Sequence, residues 1–300
     1  MEVELSETYL GLFKALASPV RIKIIQILAR QPMNINELSQ RLGLSKSIVS
    51  MHIQKLNAAG IISVASRPAK NGRQKISELS VNYIGIKLSD SFERAFSHYD
   101  VEMPVGHFTN CAVTPTCGLA TKQDYIGNLD DPQYFMDPHR VEASILWFSS
   151  GFIEYKVPNF LKATQKLQQI DISMEISSEF PFANNNWPSD ISFVLNNTDL
   201  GIWESPGDYN DRRGKLNPSW WTNNMNQYGL LKTLEITQQG TFMNGDKISE
   251  VTVKNFIRQS EYWNLTFKVE KTADHPGGLT IFGKDFGNHP QDIKFKFYYE

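Results

Sequence analysis

Ser45, Lys46, Ser47, Ser50, Met51 and Gln54 occupy the N-cap and outward positions of one predicted helix. Such short polar or flexible side chains can hydrogen-bond base edges and phosphates in the major groove of DNA. Further on, Arg67-Pro68-Ala69-Lys70-Asn71-Gly72-Arg73 carries an Asn-Gly hairpin signal, and Arg67, Lys70 and Arg73 there can grip the phosphate backbone or the adjacent minor groove. Plainer readings stand beside these. Ser47 and Ser50 serve equally as solvent-facing filler, and a charged hairpin tip is usually just solvated. His52 lies close to the apolar stripe of the same helix and reads better as a semi-buried imidazole than as a ligand.

A second concentration runs from Trp203 to Tyr228. It gathers Trp203, Trp220, Trp221, two tyrosines, Asp208, Asp211, the Arg212-Arg213 pair and five asparagines in one turn-rich connection. A loop that long is functional or disordered, and its aromatic content argues against disorder. Aromatic faces beside carboxylate, amide and guanidinium groups suit a polyhydroxylated ligand, whose C–H surface stacks and whose hydroxyls pair. The expected class is a carbohydrate or a related small polar molecule. The alternative stays open: Trp220 and Trp221 anchor the loop, while Asp211 and Arg212 or Arg213 form a structural ion pair.

His107, Cys111 and Cys117 lie within eleven residues, and His98 or His139 could complete a four-ligand set acceptable to zinc. The spacing lacks the CxxC turn of zinc signatures, and cysteine is often simply a small buried residue, so no cofactor is expected. Glu204, Asp208 and Asp211 could place two carboxylates across a glycosidic bond. Acids in a sugar-binding loop more often accept hydrogen bonds from hydroxyls, and the chain has no G-x-S-x-G elbow, phosphate loop or dinucleotide fingerprint. The expectation is a binding protein, not an enzyme.

The first group needs helices and a hairpin to position it. Ser45 can cap a helix in which Ile48, Val49, Ile53, Leu56 and Ala59 form one stripe, ended by Gly60. Upstream, Asn34 with Glu37 makes a capping box for a helix whose apolar face is Ile35, Leu38 and Leu42, and Gly43 supplies the turn. Ser18-Pro19 opens an earlier helix with Ile22, Ile25 and Leu28 inward, and a first helix covers Glu7 to Leu16. Period-two text at Ile61–Val64 and Lys75–Leu79 predicts a two-stranded wing. Residues 1 to 80 hold 11 Lys or Arg against 5 Glu and no Asp, a formal +6, while the whole chain is −2. The basic surface that phosphates require is therefore concentrated beside the groove-reading helix.

Tyr83–Leu88 is a possible strand, followed by a connector helix from Ser89-Asp90 to Tyr99 whose Phe92, Ala95 and Phe96 form a packing stripe. Beyond Val105, strand-like runs recur between turns: Val141–Phe148, Phe152–Val157, Ile170–Ser177, Ile191–Leu195, Gly201–Glu204, Leu230–Thr237, Glu250–Val253, Tyr262–Glu270, Gly278–Phe282 and Asp292–Tyr299. About ten short strands without long helices point to a β-sandwich of jelly-roll type. No apolar run approaches the roughly 20 residues that span a bilayer, the N-terminus lacks signal-peptide features, and two cysteines exclude a disulfide-dense fold. The expected location is the cytoplasm, with no membrane partner.

Through Ala17-Ser18-Pro19-x-Arg21, Val49-Ser50-x-His52 and Leu56-x-x-Ala59-Gly60-Ile61, residues 1 to about 85 resemble the winged-helix domain of ArsR-type bacterial transcriptional regulators. The resemblance implies a homodimer that reads two half-sites of a double-stranded operator about one helical turn, roughly 34 Å, apart, with the first helix in the dimer interface. Many such regulators sense metals through a cysteine pair on the first helix of the motif. The corresponding Asn36-Glu37-Leu38-Ser39-Gln40-Arg41 has no cysteine, so metal sensing there is not expected. Val113 to Ala120, Leu146-Trp147-Phe148-x-x-Gly151 with Glu154-Tyr155, and Ser205-Pro206-Gly207-Asp208 extend the resemblance to ArsR-type regulators with a β-sandwich C-terminal domain.

The sequence thus predicts an α+β multidomain chain: a winged helix-turn-helix DNA-binding domain at 1–85, a connector at 86–104 and an all-β, jelly-roll-like sandwich at 105–300. The sandwich senses a small polar effector such as a sugar. The alternative makes it a protein-interaction or dimerisation module without a small-molecule ligand.

Overall fold

Proline, cap residues and glycine punctuate the N-terminal helices. In the computed structural model, which describes residues 2–69, 72–81, 84–87, 95–256 and 260–300, strand β1 (Glu2–Glu4) and a 3-10 turn precede α1 (Leu10–Leu16) and α2 (Pro19–Leu28). Then come β2 (Met33–Asn34), α3 (Ile35–Leu42), α4 (Lys46–Ala58), the hairpin β3 (Ile62–Ala69) and β4 (Gly72–Leu79), and β5 (Gly85–Lys87), parallel to β1. The Asn34 side chain accepts from Glu37 N at 2.9 Å, and the Glu37 carboxylate accepts from Asn34 N at 2.8 Å, which completes the capping box. Gly43, at φ +65°, ends α3 in the left-handed region, and Ser45 caps α4.

The inward faces of α2 and α4 differ from expectation at Ile22 and Ile48, which are 46% and 42% exposed. Ile24, Leu28, Val49, Ile53 and Leu56 fill the core in their place. Arg21 sets the phase of α2. Its guanidinium donates to Lys14 O and Ala15 O, both at 2.6 Å, and so satisfies carbonyls at the C-terminal end of α1. With Arg21 turned inward, positions three and seven residues on face the same way, and Ile22 is rotated out.

The chain divides into two compact units, Met1–Phe92 and Glu93–Glu300. The second is all-β: β6 (Ser97–Met103), β7 (Asn110–Ala120), β8 (Ile145–Pro158), β9 (Leu167–Ser177), β10 (Ser189–Leu195), β11 (Thr198–Ser205), β12 (Leu230–Ile236), β13 (Thr241–Met243), β14 (Asp246–Ser249), β15 (Tyr262–Val269), β16 (Leu279–Phe282) and β17 (Ile293–Tyr299). One layer runs β11-β10-β15-β8-β7 and the other β6-β17-β9-β12-β13-β14, while β16 bonds to both β8 and β9 at one edge. Inward residues alternate along β10 and β15, and the layers meet where Trp263 of β15 stacks on Phe297 of β17, centroids 5.5 Å apart.

Several strand expectations change. Val141–Phe148 and Phe152–Val157 are largely one strand, β8, which passes through Gly151 at φ +114°, where a Cβ would collide with the Ala112 carbonyl. Residues 138–142 form a 3-10 turn instead. The strand expected at Glu250–Val253 is a loop entering a 3-10 turn, because Val253 and Phe256 drop into the core. Of the connector, residues 88–94 lie outside the described residues, and its expected helical end is strand β6. There, pairing with β17 overrides local helix preference. The strand expected at Tyr83–Leu88 is present as β5, with Tyr83 and Leu88 outside the described residues. No helix among the described residues is long and apolar enough to cross a membrane.

Candidate functional site

The face of α4 opposite its buried stripe presents Lys46, Ser47, Met51 and Gln54 to solvent, with Ser50 half-buried and Ser45 exposed at the cap. Lys46 makes no ion pair among the described residues. The wing differs: Arg67 is paired with Glu78 across the hairpin, and Arg73 donates to Ser66 Oγ at 3.1 Å. Both arginines sit on strands, because Ala69 pairs with Gly72, and Lys70 lies outside the described residues. His52 is half-buried with no partner for Nδ1. Burial, then Arg21 and Lys55, push its imidazole below the usual range and favour the neutral ring.

In the 203–228 connection the tryptophans act as anchors. Trp221 is buried, donates its indole N–H to Asn226 O at 2.8 Å, and meets Trp147 and Phe286 edge-on. Trp220 donates to Lys122 O at 2.7 Å, and Trp203 lies on β11 beneath the Lys232 ammonium at 4.7 Å. Arg213 clamps the loop by donating to Trp221 O, Asn223 Oδ1 and Pro218 O at 2.9, 2.8 and 2.5 Å. The alternative ion pair of Asp211 with an arginine is absent among the described residues. Asp211 accepts from Tyr228 OH at 2.6 Å, and Arg212 lies over the Tyr228 ring. These contacts occupy the groups expected to receive a sugar, because the same residues hold the loop on the sandwich.

Asp208 departs from this pattern. It is fully buried, accepts from Phe180 N through Oδ2 at 3.1 Å, and its Oδ1 has no partner. Near it lies Glu179, a residue the sequence reading did not single out. Its carboxylate accepts from Thr116 Oγ1, Thr280 Oγ1 and Asn226 Nδ2 at 3.1, 3.2 and 3.3 Å. Asn226 is also buried, and its Oδ1 has no donor. Burial and the neighbouring Asp208 push Glu179 well above the usual carboxylate range, and burial raises Asp208 to about 8. Glu179 and Asn226 line a cavity of about 170 Å³ together with Thr116, Asp130 and an apolar mouth. The only sequence signal for Glu179 is one acid set between a buried strand and Phe180-Pro181-Phe182.

Two further acids have partners. Glu175, also buried and raised to about 7 chiefly by burial, accepts from Gly229 N, Asn288 N and His289 N. Glu204 lies with Asp190 and His275, their ligand atoms within 4.8 Å of one another, and His275 Nδ1 stands 3.1 Å from Glu204 Oε2. Glu204, Asp208 and Asp211 therefore sit in three separate environments. His107, Cys111 and Cys117 are not brought together among the described residues. The cysteines are six positions apart on β7, on the order of 18 Å at strand rise, and burial pushes the Cys117 thiol up to about 12, away from the thiolate a metal needs.

Residues 18–64 match the family model described as "Bacterial regulatory protein, arsR family". "Uncharacterized HTH-type transcriptional regulator MJ0229" of Methanocaldococcus jannaschii is 45% identical over 49 residues, 16% of this chain and 52% of that protein. The chain spans about half the length of the curated relatives it matches. Among solved structures, reduced HlyU of Vibrio cholerae N16961 is 30% identical, with 24% of this chain and 73% of that one covered and a TM-score of 0.22. A likeness to "Carbohydrate-Binding Module CBM36 in complex with calcium and xylotriose" covers 66% of this chain and 98% of that one, at 10% identity and a TM-score of 0.28.

Proposed function

With residues 18–64 carrying an ArsR-family helix-turn-helix, we propose that this chain is a DNA-binding transcriptional regulator whose all-β unit receives a small polar effector. Helix α4 enters the major groove with Lys46, Ser47, Ser50, Met51 and Gln54 toward the bases and flanking phosphates, and Ser45 at the N-terminus beside a phosphate. Arg67, Lys70 and Arg73 of the wing take the adjacent backbone. The observation that carries this reading is the two-sidedness of α4: one face is committed to the core, and the other is an exposed row of groove-reading side chains led by a lysine with no ion pair among the described residues.

Two copies acting as a homodimer read two half-sites in the cytoplasm, and the exposed Leu5 and Leu10 near the first helix supply apolar surface for that contact. An effector alters transcription by binding the DNA-competent and DNA-incompetent states with different affinity. The aromatic loop, being occupied by its own anchors, leaves the cavity at Glu179 and Asn226 as the receiving site. A sugar remains one ligand class for it.

Selection of bound sequences from a random duplex pool by the full chain tests the DNA half: enrichment of an inverted repeat is expected. Recovery of no motif, with affinity at the non-specific level of about 10⁻⁴–10⁻⁶ M, overturns it. Operator affinity that changes only with a partner protein, never with a small molecule, moves the all-β unit to an interaction role.

A further inference from the structure

We propose that the cavity bounded by Glu179, Asp130, Thr116 and Asn226 binds the ammonium head of a small organic amine, with its carbon skeleton against the apolar mouth. The proposal rests on the effector reading above and specifies the ligand class.

The chemistry of the cavity is one-sided. Its polar lining contains two carboxyl groups, from Glu179 and Asp130, with Asp208 behind them, and no basic side chain lines it among the described residues. Among its described lining residues the unsatisfied buried atom is an oxygen, Asn226 Oδ1, on a residue 97% buried whose amide N–H groups are already given to Glu179 and Thr280. Buried lone pairs without donors are costly and are relieved by hydrogen-bond donors or positive charge. Burial holds Glu179 and Asp208 in the neutral form, and a cation in the cavity would let Glu179 ionise, which water does not. An ammonium group supplies three donors and one positive charge.

An organic cation fits better than a metal ion. Bare divalent cations gather six or more oxygens at about 2.0–2.6 Å. The described acids and histidines that bring three ligand atoms within 4.8 Å of one another are Asp190, Glu204 and His275, elsewhere in the unit. The carboxyls here are more dispersed, around a volume of about 170 Å³, and Trp147, Met225 and Phe180 wall it with apolar surface. A ring such as Trp147 also favours a cation across its face. Phe182 stands at the mouth, 69% exposed and at φ +73°, in the left-handed region that a bulky side chain rarely adopts. Such strain persists where surrounding structure over-determines it, commonly at ligand clamps.

The test is thermal unfolding of the full chain, without DNA, with n-butylamine and putrescine, each beside its neutral isostere (1-butanol or 1,4-butanediol) at matched ionic strength, plus methyl glycosides and calcium chloride. The expected result is that at least one amine raises the midpoint of the all-β unit by about 5–11 °C near a hundred times its dissociation constant. Its isostere should not, and Glu179→Gln should abolish the shift. Should Glu179→Gln fail to fold, Phe182→Ala, altering an exposed side chain, is expected to weaken amine binding at least threefold. No shift from any amine, an equal shift from the neutral isostere, a larger shift from calcium or a glycoside, or an amine shift indifferent to both variants overturns the proposal. Amine binding that leaves operator affinity unchanged refutes the sensor reading and keeps the site. Operator affinity that responds to some other small molecule, with no amine bound, does the reverse.

Discussion

Replacing Lys46 should change how DNA affinity depends on salt by an amount that follows from its setting. Lys46 begins α4, is exposed and has no ion pair among the described residues, so its ammonium is free to displace a counterion from a phosphate. Each such contact contributes about 0.9 to the slope of log affinity against log salt. In a dimer, Lys46→Ala should make the slope shallower by about 1.8, and Lys46→Ala with Arg73→Ala by about 3.6. Between 50 and 200 mM salt, wild-type affinity should therefore fall about 12-fold more than that of the single variant and about 150-fold more than that of the double. Arg67 is already engaged by Glu78, so Arg67→Ala should change the slope by less, and Glu78→Gln should tighten binding by releasing Arg67. Fluorescence anisotropy on a generic duplex measures all four. A double variant with the wild-type slope, or weaker binding by Glu78→Gln, would refute the assignment of these faces to DNA.

Arg21→Ala should cost the N-terminal unit about 2–4 kcal/mol in urea unfolding, from two charge-assisted bonds to carbonyls of α1; Arg21→Lys should recover little, since it lacks the planar fork. A loss below about 0.5 kcal/mol in Arg21→Ala would remove Arg21 as the device that phases α2. Trp221→Ala should destabilise the all-β unit by about 3–5 kcal/mol, and a variant as stable as wild type would show that the ring is not the anchor of its loop. Glu175 has a folded pKa near 7 against 4.5, so its stabilisation is full below pH 4.5 and is lost as pH rises through 7, by about 3 kcal/mol in total. Asp208, raised from 3.8 to about 8, acts in the same direction. The melting temperature of the all-β unit should therefore fall between pH 4.5 and 8, and a rise across that window would show that these acids fold ionised.

The helix-turn-helix was legible because its signals are local. Asn34 with Glu37, Gly43, Ser45 and Gly60 mark ends through caps and turns that need no distant partner, so the limits of α3 and α4 could be read from a few residues each. The phase of α2 was not legible, since the guanidinium of Arg21 turns inward only when α1 presents its terminal carbonyls. Strand alternation likewise announced β10, β15 and β17. β6 and β7 depended on edges offered by β17 and β8, remote in sequence, and Pro115, with no N–H to give a ladder, interrupts the strand signal of β7.

For the candidate site the division follows the same physics. The sequence by itself determined that one helix carries groove-reading residues amid positive charge, and that the chain from 203 to 228 is rich in aromatic and polar groups. Only the tertiary structure decided that Trp221 and Arg213 are spent on holding that connection, and that Glu179, Thr116, Thr280 and Asn226 meet in the interior. The four lie between 47 and 164 positions apart in the sequence. Burial, unlike capping, is a property of the packed whole, and it is burial that leaves Oδ1 of Asp208 and Oδ1 of Asn226 without a donor.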